Sequence, residues 1–304
     1  MKQLVLVVIF ALSLAGCATS PDERYQQALK NYDGKNYTLA IAQLDSLIKD
    51  DDTYVNAYIV RANSKLSLKN FEGAIDDYTH ALTLTDSASS KAYILVSRGS
   101  AYFETGNFDQ AKEDFLSAKD QNPDYAESYY LLALAEKELG HEDEVIDNLN
   151  LTIELDPEFA DAYFELGNYY AEVPDYQTAQ VNYTEAIKLD SLNADYFLEQ
   201  GNVFYNQSMY QAALTSYDRA ITTRPDFIEA YVNRANAKDE MNRNEEAMED
   251  YTKAIELDPE YGSSYFNRGI ARQHSGDKKG ACEDFNKALA LGYENAITKT
   301  GDCQ

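Results

Sequence analysis

Apolar and small residues recur along this chain with a period of 34 residues, and within each period they follow the spacing of an amphipathic helix. The periods align on one small or apolar position each. Successive spacings between these positions are 34, 37, 34, 34, 34, 34 and 34 residues. The positions are Ala40, Ala74, Ala111, Val145, Ala179, Ala213, Ala247 and Ala281. Eight matches at a nearly constant spacing predict eight copies of one structural unit.

Each period has two apolar stripes, which predict a pair of helices of about 13 residues joined by tight turns. Twelve residues before the aligned position lies a glycine or an alanine: Ala28, Ala62, Gly99, Ala133, Gly167, Gly201, Ala235 and Gly269. Four residues after it lies a large apolar residue: Leu44, Tyr78, Phe115, Leu149, Tyr183, Tyr217, Tyr251 and Phe285. Small residues let two helices approach closely, and the large residue fills the wedge between them. Stacked pairs then bury a core that a single pair cannot bury.

The one longer spacing, 37 residues, has its insertion near residues 85–90, which are rich in serine and aspartate. We predict a longer turn at this point and no binding site. After the last period, Leu291-Gly292 predicts the end of a helix, because glycine adopts the left-handed conformation that follows many helices. Residues 294–304 are predicted to form a short capping helix and a tail.

The repeated pattern resembles the tetratricopeptide repeat and covers residues 22–293 as eight units. The resemblance implies an all-α fold, a superhelix (α-solenoid) of helix-turn-helix pairs whose first helices line the concave face. It also implies a non-enzymatic scaffold for protein–protein interactions. Leu47, Val145 and Thr152 depart from the small residues usual at their positions, and tyrosine or phenylalanine replaces the usual tryptophan. Two of these departures lie in the fourth unit, where we expect looser packing.

The first residues read MKQLVLVVIFALSLAGC and have the positive start and apolar run of a secretory signal. The apolar run is about half as long as a membrane-spanning helix requires. Its end, Ala15-Gly16-Cys17, resembles a bacterial lipobox, which implies cleavage after residue 16 and lipidation of Cys17. Residues 1–16 are thus predicted to be a signal peptide and residues 17–21 an anchor linker. Ser20-Pro21-Asp22-Glu23 has the pattern of a capping box and predicts that a helix begins there.

The lipobox resemblance implies a lipid-anchored protein of the bacterial cell envelope. In enteric bacteria an aspartate after the lipidated cysteine favours retention in the inner membrane. Ala18 occupies that position in this chain, so we expect the outer membrane. Whether the protein faces the periplasm or the cell surface stays open.

The chain is strongly acidic, with 52 Asp and Glu, 26 Lys and Arg, and a formal net charge of −26. Such a charge repels phosphate backbones, so we expect no nucleic-acid partner. We find no constellation with the spacing of a catalytic or metal site. His141-Glu142-Asp143-Glu144, for example, lacks the second histidine of a zinc-protease helix. We therefore expect no enzymatic activity, no cofactor and no metal.

Two cysteines lie near the end of the chain. Cys282 occupies a position where other units have isoleucine, leucine or methionine, which predicts a small buried hydrophobe. In an oxidising envelope it is also able to pair with Cys303 and staple the C-terminal cap. The sequence leaves both alternatives open.

Asparagines recur on the first helices, either one residue after the small position or two residues before it. The first row is Asn63, Asn168, Asn202 and Asn236, and the second is Asn233 and Asn267. Aromatic residues accompany them at Tyr130, Phe164 and Tyr205, and a stripe without basic residues runs through Tyr130, Phe164, Leu198, Val232 and Phe266. Because a carboxamide hydrogen-bonds both the N–H and the C=O of an extended backbone, the asparagines and the three aromatics are the candidate partner-binding residues. The alternative is that the asparagines satisfy neighbouring turns and the aromatics pack in the core.

We therefore expect a lipid-anchored, non-enzymatic scaffold that binds a protein or peptide on its concave face. The acidic, aromatic surface favours a neutral or basic partner. A glycan-binding envelope lipoprotein is the alternative function, because asparagine and aromatic side chains also recognise sugars.

Overall fold

The computed structural model describes residues 20–303, which form α-helices joined by short turns without any β-strand. The first helices of the successive pairs are α1 (Pro21–Asp33), α3 (Val55–Ser67), α5 (Ala88–Glu104), α7 (Ala126–Leu139), α9 (Ala160–Glu172), α11 (Ala194–Asn206), α13 (Ile228–Glu240) and α15 (Gly262–His274). The second helices are α2 (Tyr37–Asp50), α4 (Phe71–Leu84), α6 (Phe108–Gln121), α8 (Glu142–Leu155), α10 (Tyr176–Leu189), α12 (Tyr210–Thr223), α14 (Asn244–Leu257) and α16 (Lys278–Ala290). The prediction of an all-α fold of repeated helix pairs is confirmed for this part of the chain.

The described residues fall into two compact units, one ending at His141 and the other beginning at Glu142. In the first unit, α1, α3, α5 and α7 pack in sequence, each against the next. In the second unit, α9, α11, α13 and α15 do the same. Each unit therefore presents a face made of consecutive first helices. None of the helices in residues 20–303 combines the length and the apolar character needed to cross a bilayer.

Local sequence explains where the first helix begins. The Ser20 hydroxyl accepts a hydrogen bond from the Glu23 backbone N–H at 3.2 Å, and the Glu23 carboxylate accepts one from the Ser20 N–H at 2.9 Å. Pro21 is the first helical residue, where its missing N–H costs nothing. The predicted capping box is thus present. Cys17 and the predicted signal peptide lie outside the described residues.

Where the small position of the pattern is a glycine, it meets the large position of the same pair. Gly201 faces the Tyr217 ring so closely that a Cβ on this glycine would lie 2.5 Å from the ring carbon Cε1. Gly167 and the Tyr183 ring stand in the same relation, at 2.6 Å. Both tyrosines are almost completely buried. The glycines are therefore needed for close approach of α11 to α12 and of α9 to α10.

Buried arginine–aspartate pairs join the two helices of four repeats. In each, the guanidinium makes two hydrogen bonds of 2.6–2.9 Å to an aspartate sixteen residues later. These pairs are Arg61–Asp77, Arg98–Asp114, Arg234–Asp250 and Arg268–Asp284. At the same positions the fifth repeat has Leu166 and Asn182. Four repeats thus have an ion pair between their two helices, and the fifth has uncharged residues at both positions.

The insertion in the third repeat does not form the longer turn that we predicted. The connection between α4 and α5 is three residues, 85–87, and α5 extends over 17 residues where the other first helices have 13 or 14. The Ser87 hydroxyl accepts a hydrogen bond from the Ser90 N–H at 3.3 Å and caps the helix. Since no proline follows, the capped residues 88–91 continue as helix, and the insertion lengthens α5 by about one turn.

A short cap follows the last repeat. It consists of the short helix α17 (Ile297–Thr300) between two 3-10 turns, Glu294–Ala296 and Gly301–Cys303. Gly292 has a φ of 83°, as predicted for a glycine after a helix end, and Ala296 is buried. A disulfide joins Cys282 of α16 to Cys303, with their Cα atoms 5.6 Å apart. Of the two alternatives for Cys282, the structure shows the disulfide with Cys303.

Candidate functional site

The first row of asparagines binds the hydroxyl groups of the wedge tyrosines. Within the second unit, the hydroxyls of Tyr183, Tyr217 and Tyr251 donate to the Oδ1 atoms of the asparagines fifteen residues earlier. The distances are 2.8 Å for Tyr183–Asn168, 2.9 Å for Tyr217–Asn202 and 2.6 Å for Tyr251–Asn236. In the first unit Tyr78 donates to Asn63 in the same way. These four oxygens therefore accept from tyrosine hydroxyls. The alternative that they satisfy neighbouring turns is wrong for them.

The sequence pairs the two positions consistently. Every repeat with a tyrosine wedge has an asparagine fifteen residues before it, and none of the repeats with a phenylalanine or leucine wedge does. The latter combinations are Leu29 with Leu44, Ser100 with Phe115, Leu134 with Leu149 and Ile270 with Phe285. A buried hydroxyl without a partner is costly, which explains the pairing. Burial also raises the pKa of Tyr217 far above the ordinary tyrosine value, so its hydroxyl keeps its proton and donates.

The second row of asparagines extends these bonds to the next repeat. The Asn233 Nδ2 donates to the Asn202 Oδ1 at 2.9 Å, and the Asn267 Nδ2 donates to the Asn236 Oδ1 at 3.3 Å. The Oδ1 atoms of Asn202 and Asn236 thus each accept from a tyrosine and from an asparagine, which fixes the orientation of these two amides. Within residues 20–303 no hydrogen bond reaches the Oδ1 of Asn233 or Asn267, and the Nδ2 of Asn236 makes none. These atoms are the donors and acceptors that remain for a ligand.

A pocket of about 340 Å³ lies between α11, α12 and α13 of the second unit. We call it the asparagine pocket. Its lining residues are Glu199, Asn202, Tyr205, Asn206, Tyr217, Asn233 and Asn236. The structure therefore brings together four of the predicted binding residues, Asn202, Tyr205, Asn233 and Asn236. Asn267 adjoins them through its bond to Asn236.

Glu199 is a pocket residue that the sequence analysis missed. Its carboxylate accepts a hydrogen bond from the Asn202 Nδ2 at 3.1 Å. Burial raises the pKa of Glu199, and the negative charge of Asp195 raises it further. The hydrogen bond from Asn202 lowers this pKa and so opposes both effects. The available signal was its register, because Glu199 lies two residues before Gly201, as Asn233 and Asn267 do before Ala235 and Gly269.

Two aromatic candidates are held by packing. The Phe164 ring packs against the rings of Tyr183 and Tyr196, with centroids 5.8 and 4.8 Å apart. The Tyr205 ring lies 5.5 Å from that of Tyr210 and also lines the asparagine pocket. Phe164 is therefore placed as a packing residue beside Asn168, whereas Tyr205 has a face for a ligand.

The expected stripe through Leu198 and Val232 is wrong as a surface feature. Leu198 is only 8% exposed and Val232 only 6%, and both belong to the core between repeats. The helical phase turns Leu198 and Val232 towards the next helix pair, so both side chains pack between repeats. At Leu198 and Val232 the absence of basic residues is thus a property of the core.

Asn63 and Tyr130 lie in the first unit and are described within it. The Asn63 Nδ2 donates to the Tyr93 hydroxyl at 3.1 Å, and Tyr93 is 41% exposed. Tyr130 is a half-buried residue of α7. Asn63 therefore combines a bond to a core tyrosine with one to a surface tyrosine.

Family models match four segments of the chain. Those described as "Tetratricopeptide repeat" match residues 96–144, 160–191 and 228–261, and one described as "TPR repeat" matches residues 201–241. The chain is a tetratricopeptide-repeat protein. The segment 201–241 includes α12, α13 and the part of α11 from Gly201 onwards, and these carry all the residues of the asparagine pocket except Glu199.

Solved structures share the fold of this tetratricopeptide-repeat protein at low sequence identity. The C-terminal part of a TPR repeat-containing protein from Cytophaga hutchinsonii aligns with a TM-score of 0.61 and 19% identity over 78% of this chain and 98% of its own. The pilF protein of Pseudomonas aeruginosa aligns with a TM-score of 0.61 and 15% identity over 70% and 99%. MamA aligns with a TM-score of 0.51 and 24% identity over 54% and 96%. No curated protein matches the chain.

Tetratricopeptide repeats generally serve as non-enzymatic scaffolds that bind protein or peptide partners. In residues 20–303 we find no group of three or more metal-ligating side chains. The asparagine pocket offers fixed amide donors and acceptors and one carboxylate.

Proposed function

We propose that this protein is a lipid-anchored scaffold of the bacterial cell envelope that binds an extended segment of a protein partner in the asparagine pocket. The observation that supports the binding site is the fixed orientation of its amides. Asn202 and Asn236 are each held by a tyrosine and by a second asparagine, so little side-chain freedom is lost when a ligand binds.

The free amide atoms match the groups of a peptide bond. The Asn233 Oδ1 accepts from a backbone N–H, and the Asn236 Nδ2 donates to a backbone C=O. Each such bond contributes about 1 kcal/mol net, so affinity requires several of them together with contacts to side chains. Recognition through backbone groups requires an extended segment, because the N–H and C=O groups of helices and central strands are already paired.

Charge supports a neutral or basic partner. The asparagine pocket is lined by one carboxylate and by no lysine or arginine, and the whole chain has a formal net charge of −26. An acidic segment would meet repulsion both at long range and in the pocket.

The proposed anchor rests on the lipobox resemblance at Cys17. A thioether-linked diacylglycerol would hold the protein at the membrane, because each buried methylene contributes about 0.8 kcal/mol. We propose the outer membrane on the basis of Ala18. Metabolic labelling with an alkyne fatty acid tests the anchor: the wild type should be labelled and sediment with outer membranes, and Cys17→Ser should lose both properties. Equal labelling of the variant would refute lipidation at this residue.

The binding site is tested by crosslinking in intact cells, followed by affinity capture and mass spectrometry. The informative variant is Asn233→Ala with Asn267→Ala, because no core tyrosine depends on either residue. Replacing Asn202 would instead leave the Tyr217 hydroxyl without its partner. We expect the double variant to lose the crosslinked partners of the wild type.

The matched control is Asn150→Ala with Asn286→Ala, two exposed asparagines on the second helices α8 and α16. It should retain all partners. Unchanged capture by the Asn233/Asn267 variant, with unchanged circular dichroism, would remove the asparagine pocket from the function.

A further inference from the structure

Glu199 has no cationic partner among residues 20–303. Its one hydrogen bond within residues 20–303 comes from the Asn202 amide, and it makes no ion pair there. Among the arginines of these two repeats, Arg224 pairs with Asp195, and Arg234 pairs with Asp250 and Asp218. In the described part of the chain, Glu199 is thus a half-buried carboxylate without an ion pair.

Such a carboxylate is costly to keep in the folded protein. Partial burial removes water from it, and the neighbouring Asp195 is negative. A neutral glutamine of nearly the same shape would make the bond with Asn202 without this cost. An unneutralised acid in a pocket is better suited to a positive ligand than to the free protein.

We propose that the asparagine pocket takes a lysine side chain of the bound segment and places its ammonium group against the Glu199 carboxylate. This inference rests on the proposed function of peptide binding. The pocket supplies further acceptors for the three ammonium hydrogens in the Asn233 Oδ1 and the Tyr205 hydroxyl. The Tyr205 ring supplies surface for the aliphatic stem.

Lysine fits this geometry better than arginine. A guanidinium binds a carboxylate best with two parallel bonds to both oxygens. In Glu199 one oxygen, Oε2, already accepts from Asn202, so only Oε1 has both of its lone pairs for the ligand. An ammonium group needs a single carboxylate oxygen and finds its other acceptors elsewhere in the pocket. At about 340 Å³ the pocket is of the size that holds one long side chain.

The test uses four libraries of fluorescent decapeptides that differ at one central position: lysine, acetyl-lysine, arginine or norleucine. All other positions are randomised over alanine, serine, threonine and glycine. The full chain, purified in detergent, is titrated against each library by fluorescence anisotropy. We expect the lysine library to bind at least tenfold more tightly than the acetyl-lysine and norleucine libraries and more tightly than the arginine library.

The Glu199→Gln variant should reduce the preference for lysine over acetyl-lysine to less than threefold. The control Glu229→Gln removes the same charge from an exposed position on α13 and should keep the full preference. Circular dichroism confirms that both variants are folded.

The outcomes separate the two proposals. If peptides bind but lysine and acetyl-lysine bind equally, or if Glu199→Gln keeps the preference, the lysine site is refuted and the peptide-binding function stands. Tighter binding of arginine than of lysine refutes the choice of an ammonium group. If no library binds the wild type, the peptide-binding function itself is refuted, and the lysine site with it.

Discussion

The hydroxyl of Tyr217 donates a 2.9 Å hydrogen bond to the Oδ1 of Asn202, fifteen residues earlier in the chain. This bond joins the core of the sixth repeat to the lining of the asparagine pocket. A single carboxamide therefore satisfies a buried group with its oxygen and takes part in the pocket with its nitrogen. The same relation between Tyr251 and Asn236 places a second such amide one repeat later.

The Tyr217–Asn202 bond predicts a coupled effect on stability. Asn202→Ala should lower the free energy of unfolding by about 1–3 kcal/mol, because it leaves the buried Tyr217 hydroxyl without a partner. The double variant Asn202→Ser with Tyr217→Phe, which copies the Ser100 and Phe115 combination of the third repeat, should recover most of this loss. Urea unfolding followed by circular dichroism measures both. Additive losses in the double variant would contradict the coupling.

The raised pKa of Glu199 predicts a variant that is more stable than the wild type. Because its folded pKa lies above the unfolded value, the native state binds the proton more tightly, and the charged side chain destabilises the fold at neutral pH. Glu199→Gln should therefore raise the urea midpoint at pH 7. The difference from the wild type should shrink as the pH falls through the folded pKa and vanish below the unfolded one, near pH 4. The hydrogen bond from Asn202 opposes this rise in the pKa of Glu199, and the negative charge of Asp195 reinforces it. A lower midpoint for Glu199→Gln at pH 7 would contradict the account.

The buried pair Arg234–Asp250 predicts a large loss when one member is neutralised. The Asp250 side chain is 7% exposed and also binds Lys238 at 2.7 Å. Asp250→Asn should cost about 3 kcal/mol, because it leaves Lys238 without its ion pair and Arg234 with only the exposed Asp218.

The fifth repeat supplies the matched rescue for this variant. Its residues at the three positions are Leu166, Tyr170 and Asn182. Arg234→Leu with Lys238→Tyr and Asp250→Asn should therefore recover most of the stability in the same unfolding assay. A triple variant less stable than Asp250→Asn alone would show that the repeats are not interchangeable here.

The disulfide between Cys282 and Cys303 predicts that stability depends on redox conditions. It closes a loop across 21 residues, for which the chain-entropy model gives about 3 kcal/mol. Cys303→Ser should lower the unfolding midpoint, and the reduced wild type should match the variant. Titration of free thiols in unreduced, unfolded protein checks the bond independently: neither Cys282 nor Cys303 should react. Reaction of both would contradict the staple.

Periodicity made the helix pairs, their wedge residues and the first capping box predictable from the sequence, because these depend on spacing within a single repeat. The insertion in the third repeat was predicted wrongly, since composition near Ser87 suggests a turn equally well as a capped helix. Leu198 and Val232 were misplaced because one helical stripe faces the next repeat.

The site was only partly predictable. The asparagine rows were visible, but their bonds to Tyr183, Tyr217 and Tyr251 required comparing positions fifteen residues apart. Glu199 was missed because its role depends on whether a cation pairs with its carboxylate, and the sequence of one helix does not show this. Its register, two residues before the small position Gly201, was the available signal.

The central claim is that the asparagine pocket holds a partner segment. It is tested most directly by placing the photocrosslinker benzoylphenylalanine at position 206, on the pocket rim, in intact cells, and at position 249 on α14 as a control. We predict a discrete protein adduct at position 206 alone, with mass spectrometry mapping the crosslink to an extended, lysine-containing segment of the partner. The same adducts at both positions, or none at position 206, would contradict the account.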